Sequence, residues 1–135
     1  MRALVTLALT LLLAACGLTS RACGVTPRRM PSLTLPSGKQ VHLMAVAQMT
    51  FPNGETALVL RYQTDLPIDD LPALRKEADE IWPWFQGDVE RAKMKNGIVS
   101  AQERGLGSFF HIARNQNFVF ERDAQGRWMR CQGDC

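Results

Sequence analysis

The chain reads as an α+β domain, with a single amphipathic helix packed on a curved antiparallel sheet of about five strands. Three observations predict this. Alternating apolar segments separated by turn residues open the stretch 31–135. A long central segment repeats its apolar residues at intervals of three and four. Short aromatic, alternating segments close the chain.

The strands come first. Ser32-Leu33-Thr34-Leu35 alternates, and Pro36-Ser37-Gly38 supplies turn chemistry. Gln40 to Thr50 then resumes an extended pattern that places Val41, Leu43, Ala45 and Ala47 on one face. Pro52-Asn53-Gly54-Glu55 follows, and Asn-Gly between apolar runs is the strongest short hairpin signal. Thr56 to Gln63 is the expected antiparallel partner, so this part forms a meander of two or three strands.

From Asp65 to Pro72 the pattern changes. This segment holds two prolines and three aspartates, and Leu71, Leu74, Ala78, Ile81, Trp82, Phe85 and Val89 form one stripe of a helix. Asp69 or Asp70 is the expected N-cap, and Pro72 fits the first turn, where its missing N–H has no helical acceptor. Glu77, Asp79 and Glu80 stand nearer the start and Arg91, Lys93 and Lys95 at the end, the order the helix dipole favours. Glu77 and Glu80 are expected on the polar face, paired with basic residues one turn away. Pro83 predicts a kink, because it cannot donate to the carbonyl of Asp79. Asn96-Gly97 is the expected end of the helix.

Ile98 to Glu103 predicts a short strand, Gly105-Leu106-Gly107-Ser108 a loop and Phe109 to Ala113 a further strand. Arg114-Asn115-Gln116-Asn117 reads as a polar turn. Phe118 to Arg122 and Arg127 to Cys131 flank Asp123-Ala124-Gln125-Gly126, a four-residue hairpin loop with glycine at its end. This run, Phe-Val-Phe-Glu-Arg-Asp-x-x-Gly-x-Trp, resembles the aromatic hairpin common in cystatin-like and NTF2-like domains. No functional residue is carried over from that resemblance.

The first sixteen residues concern location. Met1-Arg2 gives a positive start, and Ala3 to Ala15 is an uncharged, mostly apolar run of thirteen residues. At about 1.5 Å per residue it is too short to cross a bilayer and reads as the core of a secretory signal. Leu13-Ala14-Ala15-Cys16 resembles the lipobox of bacterial lipoproteins. The resemblance implies a diacylglycerol on the Cys16 thiol, cleavage just before it, and acylation of the new amino terminus with chains such as palmitate. It divides the chain into a signal peptide (1–15), a lipidated flexible tether (16–30) and the α+β domain (31–135). As a flexible coil the tether would span on the order of 20 Å. In two-membrane bacteria an aspartate directly after the acylated cysteine resembles a retention signal for the inner membrane. Gly17 stands there, which implies the inner leaflet of the outer membrane, facing the periplasm.

Composition narrows the rest. Sixteen Lys and Arg, one of them in the leader, stand against 13 Asp and Glu. The two signs are interspersed, and no run of five or more basic residues occurs, so no nucleic-acid interface is expected. With Cys16 lipidated, Cys23, Cys131 and Cys135 remain, and an oxidising compartment favours one disulfide among them. Cys131 with Cys135 closes a short loop of little entropic value. Cys23 with either closes a loop on the order of a hundred residues, for about 4–5 kcal/mol. A Cys-x3-Cys pair lacks the second ligand pair of a zinc site and the x2 spacing of redox motifs.

No catalytic spacing emerges and no cofactor or metal is expected. His42 reads as a solvent-facing or cross-strand residue, and His111, among aromatics, as structural. Asp65, Asp69 and Asp70 read as helix-entry residues. Trp84 falls on the polar face of the helix with Lys76, Glu80 and Arg91. It is therefore the candidate anchor for a partner, unless the kink at Pro83 turns it into the core. The sequence thus points to a membrane-anchored periplasmic lipoprotein with a small non-catalytic binding domain, serving an envelope protein or a peptidoglycan-associated partner. The alternative is a small periplasmic enzyme, or an inhibitor of a cell-wall hydrolase acting through a loop around Leu106.

Overall fold

The computed structural model describes residues 31–104 and 113–132. The leader and tether, Leu106, Phe109, His111 and Cys135 lie outside the described residues.

The elements run β1 (Ser32–Thr34), β2 (Gln40–Thr50), β3 (Thr56–Thr64), α1 (Leu71–Arg91), β4 (Asn96–Glu103), β5 (Asn115–Arg122) and β6 (Trp128–Arg130). Their six strands form one sheet in chain order. Four neighbouring pairs are antiparallel, but β3 and β4 run parallel, from Ala57 opposite Asn96 to Thr64 opposite Glu103. The α+β class is as expected, whereas the sheet is mixed and six-stranded instead of antiparallel with about five strands. The cause is α1 itself. A helix of 21 residues between two strands carries the chain back to its starting edge, which is the connection a parallel pair requires.

Asp70 caps α1 by accepting from the N–H of Ala73, and Pro72 sits in its first turn. The buried side is Leu74, Glu77, Ala78, Ile81, Trp82, Phe85 and Val89, and the helix continues through Pro83. It ends earlier than Asn96-Gly97. Lys93 takes φ +56°, its N–H reaches the carbonyl of Glu90, and the Met94 N–H reaches that of Val89. These two bonds make a Schellman ending, with lysine in the left-handed position that glycine usually fills.

Asn96 and Gly97 instead begin β4, and Gly97 is there for packing. A Cβ at Gly97 would stand 2.5 Å from the Trp82 ring and 2.9 Å from Val89. The indole lies over this gap in the sheet, stacked on Phe120 at 4.2 Å and edge-on to Trp128 at 5.1 Å. Trp128 Nε1 in turn donates to Glu90 Oε1 at 2.8 Å, fastening the terminal hairpin to the helix. That bond, more than the neighbouring Arg122, holds the Glu90 carboxyl below its ordinary range.

Glu77 corrects a second expectation. It is buried against the sheet, not placed on the polar face. Tyr62 Oη and Thr64 Oγ1 donate to its Oε2 at 3.0 and 2.7 Å, and Lys39 Nζ lies 2.6 Å from Oε1. Burial and the adjacent carboxylate push the Tyr62 phenol far up, so it remains a donor. The network ties α1 to β3 and to the β1–β2 turn, where Ser37 N–H also donates to Glu80.

Two strand details differ from the sequence pattern. Asn115 to Asn117 belong to β5 and pair with Gln102, Ala101 and Ser100, so they are not a turn. In β2 the register shifts between Leu43 and Ala45. The extra residue, Met44, reverses the side-chain parity. Val41 and Leu43 join the core under α1, whereas Ala45 and Ala47 face the other way.

Two outcomes test this packing. Gly97→Ala should destabilise the protein by about 1–3 kcal/mol by overpacking against Trp82, read as a lower midpoint in denaturant. Glu77→Ala should cost on the order of 3 kcal/mol, because it strands the Tyr62 and Thr64 hydroxyls in the interior. Phenol titration in the same variant should move toward the ordinary tyrosine range.

Candidate functional site

Since α1 covers only one face of the sheet, the in-register residues of the strands set the character of the other. One row across this free face is apolar: Ala47 of β2, Val59 of β3, Ile98 of β4 and Val119 of β5. On one side of it runs Met49, Ala57, Asn96, Glu121 and Met129. On the other side runs Ala45, Arg61, Ser100 and Asn117, and beyond these a polar row of Ser32, His42, Gln63, Gln102 and Asn115.

Ala57, Val59 and Ile98 form an apolar cluster of their own, separate from the main core, with Phe51 and Val119 packed against it. Phe51 arrives through the β2–β3 turn. Its N–H donates to the carbonyl of Glu55, and Gly54, at φ +83°, donates back to the carbonyl of Phe51. The expected hairpin is thus a longer loop that packs an aromatic ring against this cluster, with Asn53 bonded to Glu55 at its tip. The result is a cleft of about 530 Å³ with Val59 and Ile98 in its floor. Its walls carry Arg61, Asn96, Asn115, Asn117, Glu55 and Glu121. Its size and its combination of apolar floor and polar walls fit a small-ligand site.

The polar groups of the cleft contrast with those elsewhere. Of the three strand arginines, Arg122 and Arg130 are ion-paired with Glu90 and Asp79 of α1. Arg61, at the centre of the sheet, has no ion pair or side-chain hydrogen bond among the described residues, nor have Asn96, Asn115, Asn117 and Glu121. Met49 and Met129, 38% and 50% exposed, flank the same face with adaptable apolar surface.

The other sequence candidates lie apart from it. Trp84 is 42% exposed on the outer side of α1, so Pro83 does not turn it inward, and it is on the opposite side of the domain from the cleft. His42 is exposed and faces Gln63 across the strands. Asp65 pairs with Arg104, and Asp69 with Arg114, at the helix entrance. Cys131 follows β6 and donates its N–H to the carbonyl of Val119. Its candidate partners Cys23 and Cys135, like the lipidation candidate Cys16, lie outside the described residues. Among the described residues no cluster of three or more His, Cys, Asp and Glu could hold a metal, and no helix is long and apolar enough to cross a membrane.

No single motif marks the cleft in the sequence. The signal that could have found it is the polar alternation of Arg61 with Gln63, Ser100 with Gln102, and Asn115 with Asn117, once these strands are set side by side.

None of the protein-family models, curated proteins or solved structures compared with this chain matches it.

Residues kept for binding should add little to folding. Arg61→Ala, Asn117→Ala and Met49→Ala should each leave the denaturant midpoint within about 0.5 kcal/mol of the parent, as expected for exposed side chains without partners.

Proposed function

We propose that this chain is an envelope lipoprotein anchored through Cys16, and that its α+β domain is a non-catalytic binding module presenting the free face of its sheet. One observation carries the binding reading. On the face opposite α1 a cleft with a buried apolar floor is walled by polar side chains without internal partners, a pattern that folding alone does not require. The anchor rests on the leader and Leu13-Ala14-Ala15-Cys16. Two or more acyl chains, at about 0.8 kcal/mol per buried CH2, hold such a domain at a membrane durably. Gly17 favours the outer membrane in a two-membrane host, which places the cleft in the periplasm within reach of envelope proteins and the cell wall. This reading moves the binding role from Trp84 to the cleft, because the cleft offers both enclosure and polar complement while Trp84 stands alone.

Two measurements test it. Cys16→Ser should move the protein from the membrane fraction to the soluble fraction after carbonate washing; retention would count against a lipid anchor. A photo-crosslinking residue at Met49 should give envelope adducts in intact cells, whereas one at Trp84 should not. The reverse result would return the binding role to the helix.

A further inference from the structure

We infer that the open edge of β2 pairs with the same edge of a second copy of this chain, antiparallel and centred on Gln48. Among the described residues β1 covers β2 only from Gln40 to His42, whereas β3 pairs with it as far as Thr50. From Ala45 to Thr50 the outer edge of β2 therefore has no described strand beside it.

The turn shows which backbone groups that edge presents. Phe51 donates its N–H to the carbonyl of Glu55, across the hairpin. Along an antiparallel strand these groups alternate in direction. Met49, Ala47 and Ala45 thus turn theirs to β3, and Thr50, Gln48 and Val46 turn N–H and C=O to the open side.

Sheet edges are ordinarily blunted by charge, proline or short length. The opposite edge of this sheet follows that rule, since β6 has three residues, ends on Arg130 and is preceded by Arg127. The edge of β2 does not. Leu43 to Thr50 holds no charged residue and no proline. Five large apolar side chains are exposed among the described residues, and three of them, Met44, Val46 and Met49, belong to this strand.

The identity of the occupant follows from the sequence of the edge. In a two-fold pair centred on Gln48, Val46 stands opposite Thr50 of the second copy and Gln48 opposite Gln48. Every outward N–H and C=O from Val46 to Thr50 then has a partner. Between them Ala47 stands opposite Met49, a short side chain against a long one. No like charges meet, the two Gln48 amides can each donate and accept, and Val46 with Thr50 joins two β-branched residues. The interface is isologous and stops at two copies, because the remaining edge is short and charged. Its two-fold axis passes through the sheet, so both helices lie on one side and both clefts on the other.

Two other occupants fit less well. The chain's own tether precedes β1, but Pro27 lacks the N–H a ladder uses, and Arg28-Arg29 would set adjacent charges against an apolar edge. A strand of another protein could use the same backbone groups, but only a second copy must match each side-chain pair with itself.

Single-strand pairing buries a small area, so the dimer should form in the micromolar range. The test is sedimentation equilibrium of the full-length chain in density-matched detergent. The parent and Trp84→Ala should approach twice the chain mass. Gln48→Lys and Gln48→Glu should each dissociate at least tenfold more readily with an unchanged denaturant midpoint, and mixing the two should restore the dimer. A monomeric parent overturns the inference, as does a charge variant that associates like the parent, the result expected if chains merely share a micelle. Failure of the mixture to associate overturns the Gln48 register. Hydrogen exchange showing Val46, Gln48 and Thr50 amides protected in a monomer would give the edge to the tether. Met49 lies on this seam, and its homodimer adduct, at twice the chain mass, is read separately from adducts to other envelope proteins.

Discussion

The position of α1 depends on a single absence, the missing Cβ of Gly97. The Trp82 indole occupies that gap, and through it the helix reaches Phe120 and Trp128 on β5 and β6. A side chain at residue 97 would lift α1 from the sheet along the Val89 turn as well, since both contacts are under 3 Å. At the other end the Glu77 carboxylate holds the helix to Tyr62, Thr64 and Lys39. The helix is thus fixed by shape at one end and by charge-assisted hydrogen bonds at the other. The second kind of contact has geometric requirements that apolar packing lacks, and it constrains the rotation of the helix about its axis.

Because α1 is the only helix among the described residues, it can satisfy one face of the sheet and no more. The parallel pairing of β3 and β4 puts those strands in the middle, with two more on each side. Their free faces meet at Val59, Ile98, Arg61 and Ser100. The crossover that creates the core therefore also determines which residues stand at the centre of the face opposite the helix.

Much of this was legible in the sequence where periodicity and sterics act alone. The helix stripe from Leu74 to Val89, the Asp70 cap, the β2–β3 turn and the Asp123–Gly126 turn all follow from local chemistry. Glu77 was misread because its charge outweighed its position. Yet it lies three residues after Leu74 and four before Ile81, inside the stripe, and that spacing was the available clue. Gly97 was misread because Asn-Gly ordinarily ends a helix, and only the three-dimensional neighbour Trp82 explains it. The cleft was illegible for a different reason. Its side chains come from four strands, and their adjacency exists only once register is set.

The Met44 bulge separates tolerance of substitution from tolerance of length. On its N-terminal side β2 gives its alternate residues to the interior, and on its far side it gives Ala45 and Ala47 to the cleft wall. Exchanging one of these alanines alters a single position and deleting Met44 only removes the bulge, but inserting one residue between Met44 and Ala45 inverts the allegiance of the whole remaining segment. Val46 and Gln48 would then stand opposite Val59 and Ala57 on the cleft side, and both alanines would turn to the helix side. Lineages descended from this sequence should therefore vary β2 by replacement and accept insertions only in its flanking turns.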